Sequence, residues 1–438
     1  MMSERESVIQ TEVCEKIAVI GLGYVGLPLA LLLNERGFHV LGIDLDHRKI
    51  DALLAGESYL TDVPDEAIKA VMTTGRFTPD RTYELLPTVN AIIICVPTPL
   101  TERGTPELSY LTQAGAELAP RLQHGQLVVL ESSTYPGTTR EVLLPLLERS
   151  GLKAGADFNL AYSPERVDPG NKEYPVEAIP KVISGMKPEC LERVERLYKR
   201  IFGTVVPVAS VETAEMAKIL ENAYRLINIS FINELAMLSD TLGIDLWEVI
   251  EAAGTKPFGF KSFYPGPGIG GHCIPVDPSY LVWKLKQYGA DSAFIELSNE
   301  INHRMPAYVV EQLKRALAPK QLSGARIIVY GAAYKPDIAD CRESASGDLL
   351  KLLRLAGADA SYHDPFVPSL QLEDEQLYSI ALTEQALGAV DAVVIATAHS
   401  GMPLELLLEH APLIYDARNA TKGCSGRAAV VRLGGGAG

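Results

Sequence analysis

Short apolar runs alternate with longer amphipathic stretches from residue 16 to about residue 210: KIAVI at 16–20, HVLGI at 39–43, AIIIC at 91–95, LVVLESS at 127–133, FNLAYSPE at 158–165, KVISG at 181–185 and TVVPVA at 204–209. Runs this short and rich in β-branched residues read as buried strands, and the stretches between them read as helices. The alternation predicts a mostly parallel, doubly wound α/β sheet. Residues 212–242 then proceed without proline or glycine, which predicts one helix of about eight turns and more than about 40 Å, expected to join two lobes. Shorter helical patterns follow at 245–253, 279–288 and 293–318. Strand-like runs return in RIIVYGAAY, ADASYHDP, DAVVIATAH and LIYDARN, with a helix expected at 346–356. The expected organisation is an α/β domain over 1–210, a helical domain over 211–318 and a smaller α/β domain over 319–438. The first dozen residues and the final GGGAG are expected to be disordered.

Composition narrows the class. A chain of 438 residues is too long for one ordinary core. Its 47% hydrophobic and 22% charged content is that of a globular protein. A net charge of −15 argues against a nucleic-acid partner, which would need clustered basic surface. No apolar run approaches the roughly 18 residues that span a bilayer, and MMSERESVIQTEVCEK lacks a signal-peptide core. A cytoplasmic protein without a membrane partner is expected. The cysteines at 14, 95, 190, 273, 341 and 424 show no C-x-x-C or metal-ligand spacing, so reduced thiols and no metal are expected.

Two segments carry chemistry. The strand KIAVI runs straight into Gly21-Leu22-Gly23-Tyr24-Val25-Gly26 and then into the helical pattern LPLALLLNERG. Glycines at these positions allow the tight turn, the close approach of a pyrophosphate and the packing of helix on strand, with phosphate at the helix N-terminus. The next strand ends at Asp44, where a carboxylate accepts the ribose hydroxyls and disfavours a 2′-phosphate, so the cofactor is read as NAD rather than NADP. Val96, Pro97 and Thr98 end another strand and are expected beside it. The second segment is Gly-Ile-Gly-Gly-His-Cys-Ile-Pro-Val-Asp-Pro at 268–278. A cysteine in a glycine-rich loop, four residues before an aspartate, offers a thiol for covalent attack and a carboxylate to manage water. The competing reading is a tight turn around a core cysteine, which is how Cys95 is read. Lys218 and Asn222 share one helix face, and an ammonium with an amide donor suits a developing oxyanion.

The chain resembles the nucleotide-sugar 6-dehydrogenase family that includes UDP-glucose and GDP-mannose dehydrogenases. The resemblance is carried by GLGYVGLPLA at 21–30, CVPTP at 95–99, SSTYPGTT at 132–139, SPERVDPGN at 163–171, EMAKILENAYR at 215–225, the cysteine loop and YKPDIADCRES at 334–344. SPERVDPGN and FYPGPGIGGHCIPVDPSYL look like the branch acting on UDP-N-acetylhexosamines, particularly UDP-N-acetylglucosamine 6-dehydrogenases. Pro275-Val276-Asp277 departs from the Pro-Lys-Asp of UDP-glucose and GDP-mannose members and agrees with that branch.

The resemblance implies an NAD-binding Rossmann-type domain, a central dimerisation domain and a C-terminal Rossmann-like domain that binds the UDP-sugar. It implies a four-electron oxidation of a C6 alcohol, consuming two NAD and one water, in a homodimer or higher homo-oligomer. Cys273 is then expected to hold the aldehyde as a thiohemiacetal and later a thioester, with Lys218 and Asn222 on its oxygen. Asp277 and Thr134 are expected to position water with Lys218 during the first oxidation, and Glu165 to assist thioester hydrolysis. Glu165, Arg166, Lys218, Asn222, Tyr264, Gly268, Gly270, Gly271 and Lys335 are expected on the nucleotide-sugar side. Thr134 and Arg342 are expected on the cofactor side. Other readings are UDP-glucose or UDP-N-acetylmannosamine as substrate, a two-electron β-hydroxyacid dehydrogenase, which the cysteine loop and extra lobe argue against, and a nucleotide-sugar-binding regulator without turnover.

Overall fold

The computed structural model describes residues 15–60, 62–101, 103–167, 174–372 and 375–436. The chain forms two compact units, one of residues up to Pro99 with Pro106–Lys218, the other of Leu100–Thr105 with Ile219–Gly438. The long helix, Val211–Leu242, contains the division.

The first unit has eight strands, β1 (Lys16–Ile20), β2 (His39–Ile43), β3 (Phe77–Asp80), β4 (Ala91–Ile94), β5 (Leu127–Leu130), β6 (Asn159–Tyr162), β7 (Lys181–Gly185) and β8 (Val205–Pro207); seven follow the apolar runs, and β3, whose sequence FTPD is short and half polar, was not expected. They lie in the order β3-β2-β1-β4-β5-β6-β7-β8, all parallel except for the β6–β7 pair. The strand order reverses between β1 and β4, and a crevice opens at the carboxyl ends of an open sheet at such a point. Both faces are buried. On one, Leu27, Leu29 and Leu33 of the helix Gly26–Glu35 pack with Val19, Val40 and Ile93. On the other, Leu111, Leu118 and Leu143 pack with Ile92 and Leu130. Burial on both faces is why these strands read as continuous apolar runs.

The second unit carries β9 (Arg326–Tyr330), β10 (Asp359–His363), the antiparallel hairpin β11 (Ser369–Leu372) and β12 (Glu375–Tyr378), β13 (Ala392–Ile395), β14 (Leu413–Asp416) and β15 (Ala429–Arg432). Five of these form a parallel sheet in the order β10-β9-β13-β14-β15. Its core is shared with the helices of the unit: Ile232, Ala236, Leu246, Ile250, Met305 and Val309 join Ile327, Val329, Val394 and Tyr415 in one cluster.

The expectation of a disordered GGGAG fails at Gly434–Gly436, which pack. Leu433 is fully buried, Trp247 Nε1 donates to its carbonyl at 2.8 Å, and Leu246 N donates to the Gly434 carbonyl at 2.8 Å. Gly434 takes φ +67°, a conformation open to glycine, so the repeat serves a turn against Ala236. The remaining two residues of that run, and the first dozen of the chain, lie outside the described residues. Among the described residues no helix is long and apolar enough to cross a membrane.

Candidate active site

The turn from β1 into its helix is built on glycines with different duties. A Cβ on Gly26 would stand 1.8 Å from the Gly21 carbonyl oxygen, whereas one on Gly23 would meet nothing within 4 Å. Gly26 is therefore demanded by packing, and Gly23 faces open space. Tyr24 and Val25 between them are half-buried. Asp44, buried just beyond β2, accepts from Leu22 N at 2.9 Å and pairs with Lys49 Nζ at 2.8 Å, both through Oδ2.

Beyond β4, Cys95 is buried and burial pushes its thiol well above the usual range, as suits a core residue. Val96 and Pro97 are partly exposed at the strand end. Thr98 is buried and donates to the Ser133 carbonyl at 2.6 Å, while Ser132 Oγ donates to the Val96 carbonyl at 2.7 Å. These bonds tie the ends of β4 and β5 together next to Thr134. Thr134 is 1% exposed, and its Oγ1 has no hydrogen-bond partner among the described residues. A buried hydroxyl left without a partner is costly. The open space at Gly23, the Asp44 carboxylate and the Thr134 hydroxyl fit a dinucleotide laid along the carboxyl ends of the sheet.

Lys218 and Glu165 are both buried, with Nζ 3.8 Å from Oε2. Glu165 also accepts from Val167 N, so it is no surface charge. Arg166 donates through Nη1 to the Pro180 carbonyl at 2.7 Å. Glu215, one helical turn before Lys218, escaped the sequence reading although it lies within EMAKILENAYR. Its Oε2 accepts from Gly137 N at 2.6 Å, and its Oε1 accepts from Thr139 N at 2.9 Å and Thr139 Oγ1 at 2.6 Å. Spacing of three on the Lys218 face was the available signal.

In the second unit Asn222 donates through Nδ2 to Asp277 Oδ2 at 2.5 Å, and Arg225 donates to Asn222 Oδ1. Asp277 is completely buried and is the first residue of the helix Asp277–Lys286. The helix was expected from 279; it starts earlier because Pro278 suits a first turn. Asp277 N donates to the Cys273 carbonyl at 2.9 Å, and Cys273 itself is half-buried. The loop before it is held by Asn302, which accepts from Ile269 N at 2.6 Å and donates to the Ile269 carbonyl at 3.2 Å.

The glycine loop lies against the segment 334–345. Gly271, at φ +86°, donates to the Arg342 carbonyl at 3.1 Å, and a Cβ on Gly270 would stand 2.6 Å from the Glu343 carbonyl oxygen. Lys335 Nζ lies 5.9 Å from the Tyr334 ring centroid, and Arg342 Nη2 pairs with Asp340 at 2.6 Å. The preceding turn is fixed by Asp364, which accepts from Ala332 N and Ala333 N through Oδ2, and by His399, whose Nδ1 accepts from Asp337 N at 3.0 Å. Burial alone would raise the Asp364 carboxyl, but His399 and the backbone donors outweigh it and hold it down at about 2. Tyr264 is 54% exposed and stacks on Trp247 with ring centroids 5.8 Å apart. Asn233, also missed in the sequence, accepts from Gly266 N at 2.9 Å, while its buried Nδ2 has no partner among the described residues.

Three domain models of the UDP-glucose/GDP-mannose dehydrogenase family match the chain: the NAD binding domain over residues 15–202, the central domain over 212–304 and the UDP binding domain over 328–423. A UDP-N-acetyl-D-glucosamine 6-dehydrogenase of Pseudomonas aeruginosa is 37% identical over 394 residues, covering 88% of this chain and 90% of that protein. A UDP-N-acetyl-D-mannosamine dehydrogenase of Pyrococcus horikoshii is 35% identical over 387 residues, covering 88% of this chain and 89% of that protein. The solved structure of UDP-D-ManNAc dehydrogenase from Pyrococcus horikoshii superposes with a TM-score of 0.88 at 34% identity, covering 97% of this chain and 100% of that one.

Proposed function

Because the chain belongs to the UDP-glucose/GDP-mannose dehydrogenase family, and so is an NAD-dependent UDP-sugar dehydrogenase, we propose that it oxidises the C6 alcohol of UDP-N-acetylglucosamine to the carboxylate of UDP-N-acetylglucosaminuronate, a polysaccharide precursor. The observation that carries the reading is Cys273 at the end of a glycine loop, one helical turn before a buried Asp277 that Asn222 holds. The choice of sugar is supported by the Pseudomonas aeruginosa relative and by Val276 in place of a lysine. A second reading, UDP-N-acetylmannosamine, is supported by the similarity to the Pyrococcus horikoshii protein. The two sugars differ only in configuration at C2.

Bound NAD supplies the hydride acceptor for each two-electron oxidation. Gly21, Gly23, Gly26, Tyr24 and Val25 would hold its pyrophosphate and Asp44 its ribose hydroxyls, and Val96, Pro97, Thr98, Thr134 and Arg342 would line the rest of its site. Arg166, Tyr264, Lys335 and the backbone of Gly268, Gly270 and Gly271 hold the nucleotide sugar. Lys218 and Asn222 stabilise negative charge on the C6 oxygen, and a water placed by Asp277 and Thr134 with Lys218 takes the hydroxyl proton in the first oxidation. Cys273 Sγ attacks the aldehyde carbon, forming a C–S bond as the carbonyl oxygen takes the proton. Loss of hydride from this thiohemiacetal, with its hydroxyl proton passing to water, leaves a thioester. A water then attacks the thioester with Glu165 as base, the C–S bond breaks, and the thiolate leaves. The protein acts as a homodimer through the long helix, where Leu220, Tyr224, Phe231, Leu238 and Leu242 form an apolar stripe, each at least 47% exposed.

The test is the NADH formed per sugar consumed, with UDP-N-acetylglucosamine, UDP-N-acetylmannosamine and UDP-glucose run in parallel. Two NADH per UDP-N-acetylglucosamine and the highest kcat/KM for that sugar are expected. Preference for the mannosamine epimer selects the second reading, and one NADH or none refutes the four-electron reaction. Cys273→Ser turning over at near the wild-type rate would refute the thioester.

A further inference from the structure

The Glu215 carboxylate spends all its described bonds on one short segment. Its partners Gly137 and Thr139 lie in the turn that follows Thr134 and begin the helical stretch from Thr139, where backbone N–H groups lack intrahelical acceptors. A local side chain could have served them. Thr138, fully buried in the same turn, instead donates to the Tyr135 carbonyl at 2.8 Å. The acceptor comes from the long helix, 78 and 76 positions away, and from a residue with no exposure at all. Burying a carboxylate is expensive unless its oxygens are satisfied, so Glu215 is costly as a mere filler. Its effect is to join the segment that bears the Thr134 hydroxyl to the helical turn that bears the Lys218 ammonium.

We propose that Glu215 is a positioning residue, which clamps the turn at Gly137–Thr139 to the long helix and so fixes Thr134 relative to Lys218 during the reaction. The inference rests on the roles given above to Thr134 and Lys218. Glutamine is the informative replacement, because an amide has one acceptor oxygen. Whichever way it turns, its NH2 faces an N–H that Glu215 now accepts from, and one side of the clamp opens. Aspartate keeps the charge but withdraws it by roughly one carbon–carbon bond, about 1.5 Å.

Two measurements test the proposal. Amide hydrogen exchange should accelerate at one at least of Gly137 and Thr139 in Glu215→Gln by about tenfold or more, the factor for losing roughly one charge-assisted hydrogen bond, while the β5 amides keep their rates. Unchanged exchange at both amides overturns the clamp, whatever the substrate. In turnover, Glu215→Gln should lower kcat by about tenfold to a hundredfold with KM for the nucleotide sugar within about threefold, and should cost less than about threefold in a Thr134→Ala background. Additive losses in the double variant overturn the action through Thr134. If Glu215→Gln does not fold, Glu215→Asp takes its place in both measurements, with the same outcomes deciding. Wild-type protein that forms no NADH with any of the three sugars would refute the proposed function, and the exchange measurement would still decide the clamp.

Discussion

Asn222 Nδ2 donates to Asp277 Oδ2 at 2.5 Å, joining two residues 55 positions apart, and Arg225 holds the other end of the same amide. The bond aims one carboxylate oxygen from a helix N-terminus, where negative charge is favoured. Asp277→Asn should lower kcat by about a hundredfold or more, with KM for the nucleotide sugar nearly unchanged. Steady-state kinetics checks this, and a loss confined to KM would contradict a role in handling water. Asp277→Ala should also destabilise the fold by about 1–3 kcal/mol, because the buried Asn222 amide loses its acceptor.

Gly23 and Gly26 should respond to alanine in opposite ways. At Gly26 the added Cβ meets backbone at 1.8 Å, so the turn must distort, at a cost of about 3 kcal/mol or more. At Gly23 the Cβ enters open space and the fold should keep its Tm, while the methyl obstructs the pyrophosphate and KM for NAD rises about tenfold or more. Thermal melts and NAD titrations of both variants decide it. An unchanged KM for NAD in Gly23→Ala would place the pyrophosphate elsewhere.

The same glycine turn was legible in the sequence. β1 and β2 fall where the apolar runs put them because a strand buried on both faces needs only apolar residues, and the long helix is one residue longer at its start than the Pro-free and Gly-free run suggested. Motif residues such as Lys218, Glu165, Asn222 and Asp277 were nameable, but their pairing was not, since it depends on how distant elements pack. Glu215 was hidden for that reason: in sequence it is one more helical glutamate. The β11–β12 hairpin was missed because SLQL and EQLY are short and polar. The packed Gly434–Gly436 were read as disordered because low complexity says nothing about the Trp247 indole and Leu246 amide that receive them.

Glu215 also gives a pH dependence with a definite sign. Burial raises its carboxyl to about 7, Glu212 adds to the rise, and the bonds from Thr139 and Gly137 oppose it; Arg140 is the nearby cation. A carboxyl whose pKa rises on folding stabilises the folded state fully below its unfolded value near 4.5, and this contribution is lost as pH climbs through about 7. Relative to Glu215→Gln, which does not titrate, the wild type should lose on the order of 3 kcal/mol between pH 4.5 and pH 8. Denaturant unfolding of both proteins across that range measures it, and a difference independent of pH would contradict it.

The apolar stripe on the long helix predicts self-association. Sedimentation equilibrium at micromolar concentration should give a dimer or larger species, and Leu238→Lys should shift the mass toward the monomer. A wild-type monomer would exclude the stripe as an interface.

The contacts of Leu433 and Gly434 bear on how the second unit is made. Trp247 and its acceptor at Leu433 are 186 positions apart, and a ribosome adding about 5–20 residues per second needs roughly 10 to 40 s to cover that interval. Until then the indole N–H lacks its acceptor and the helices around Ala236 and Leu246 wait with apolar faces uncovered. Slowing translation anywhere between Trp247 and Leu433 should therefore lengthen the exposure of those faces to aggregation.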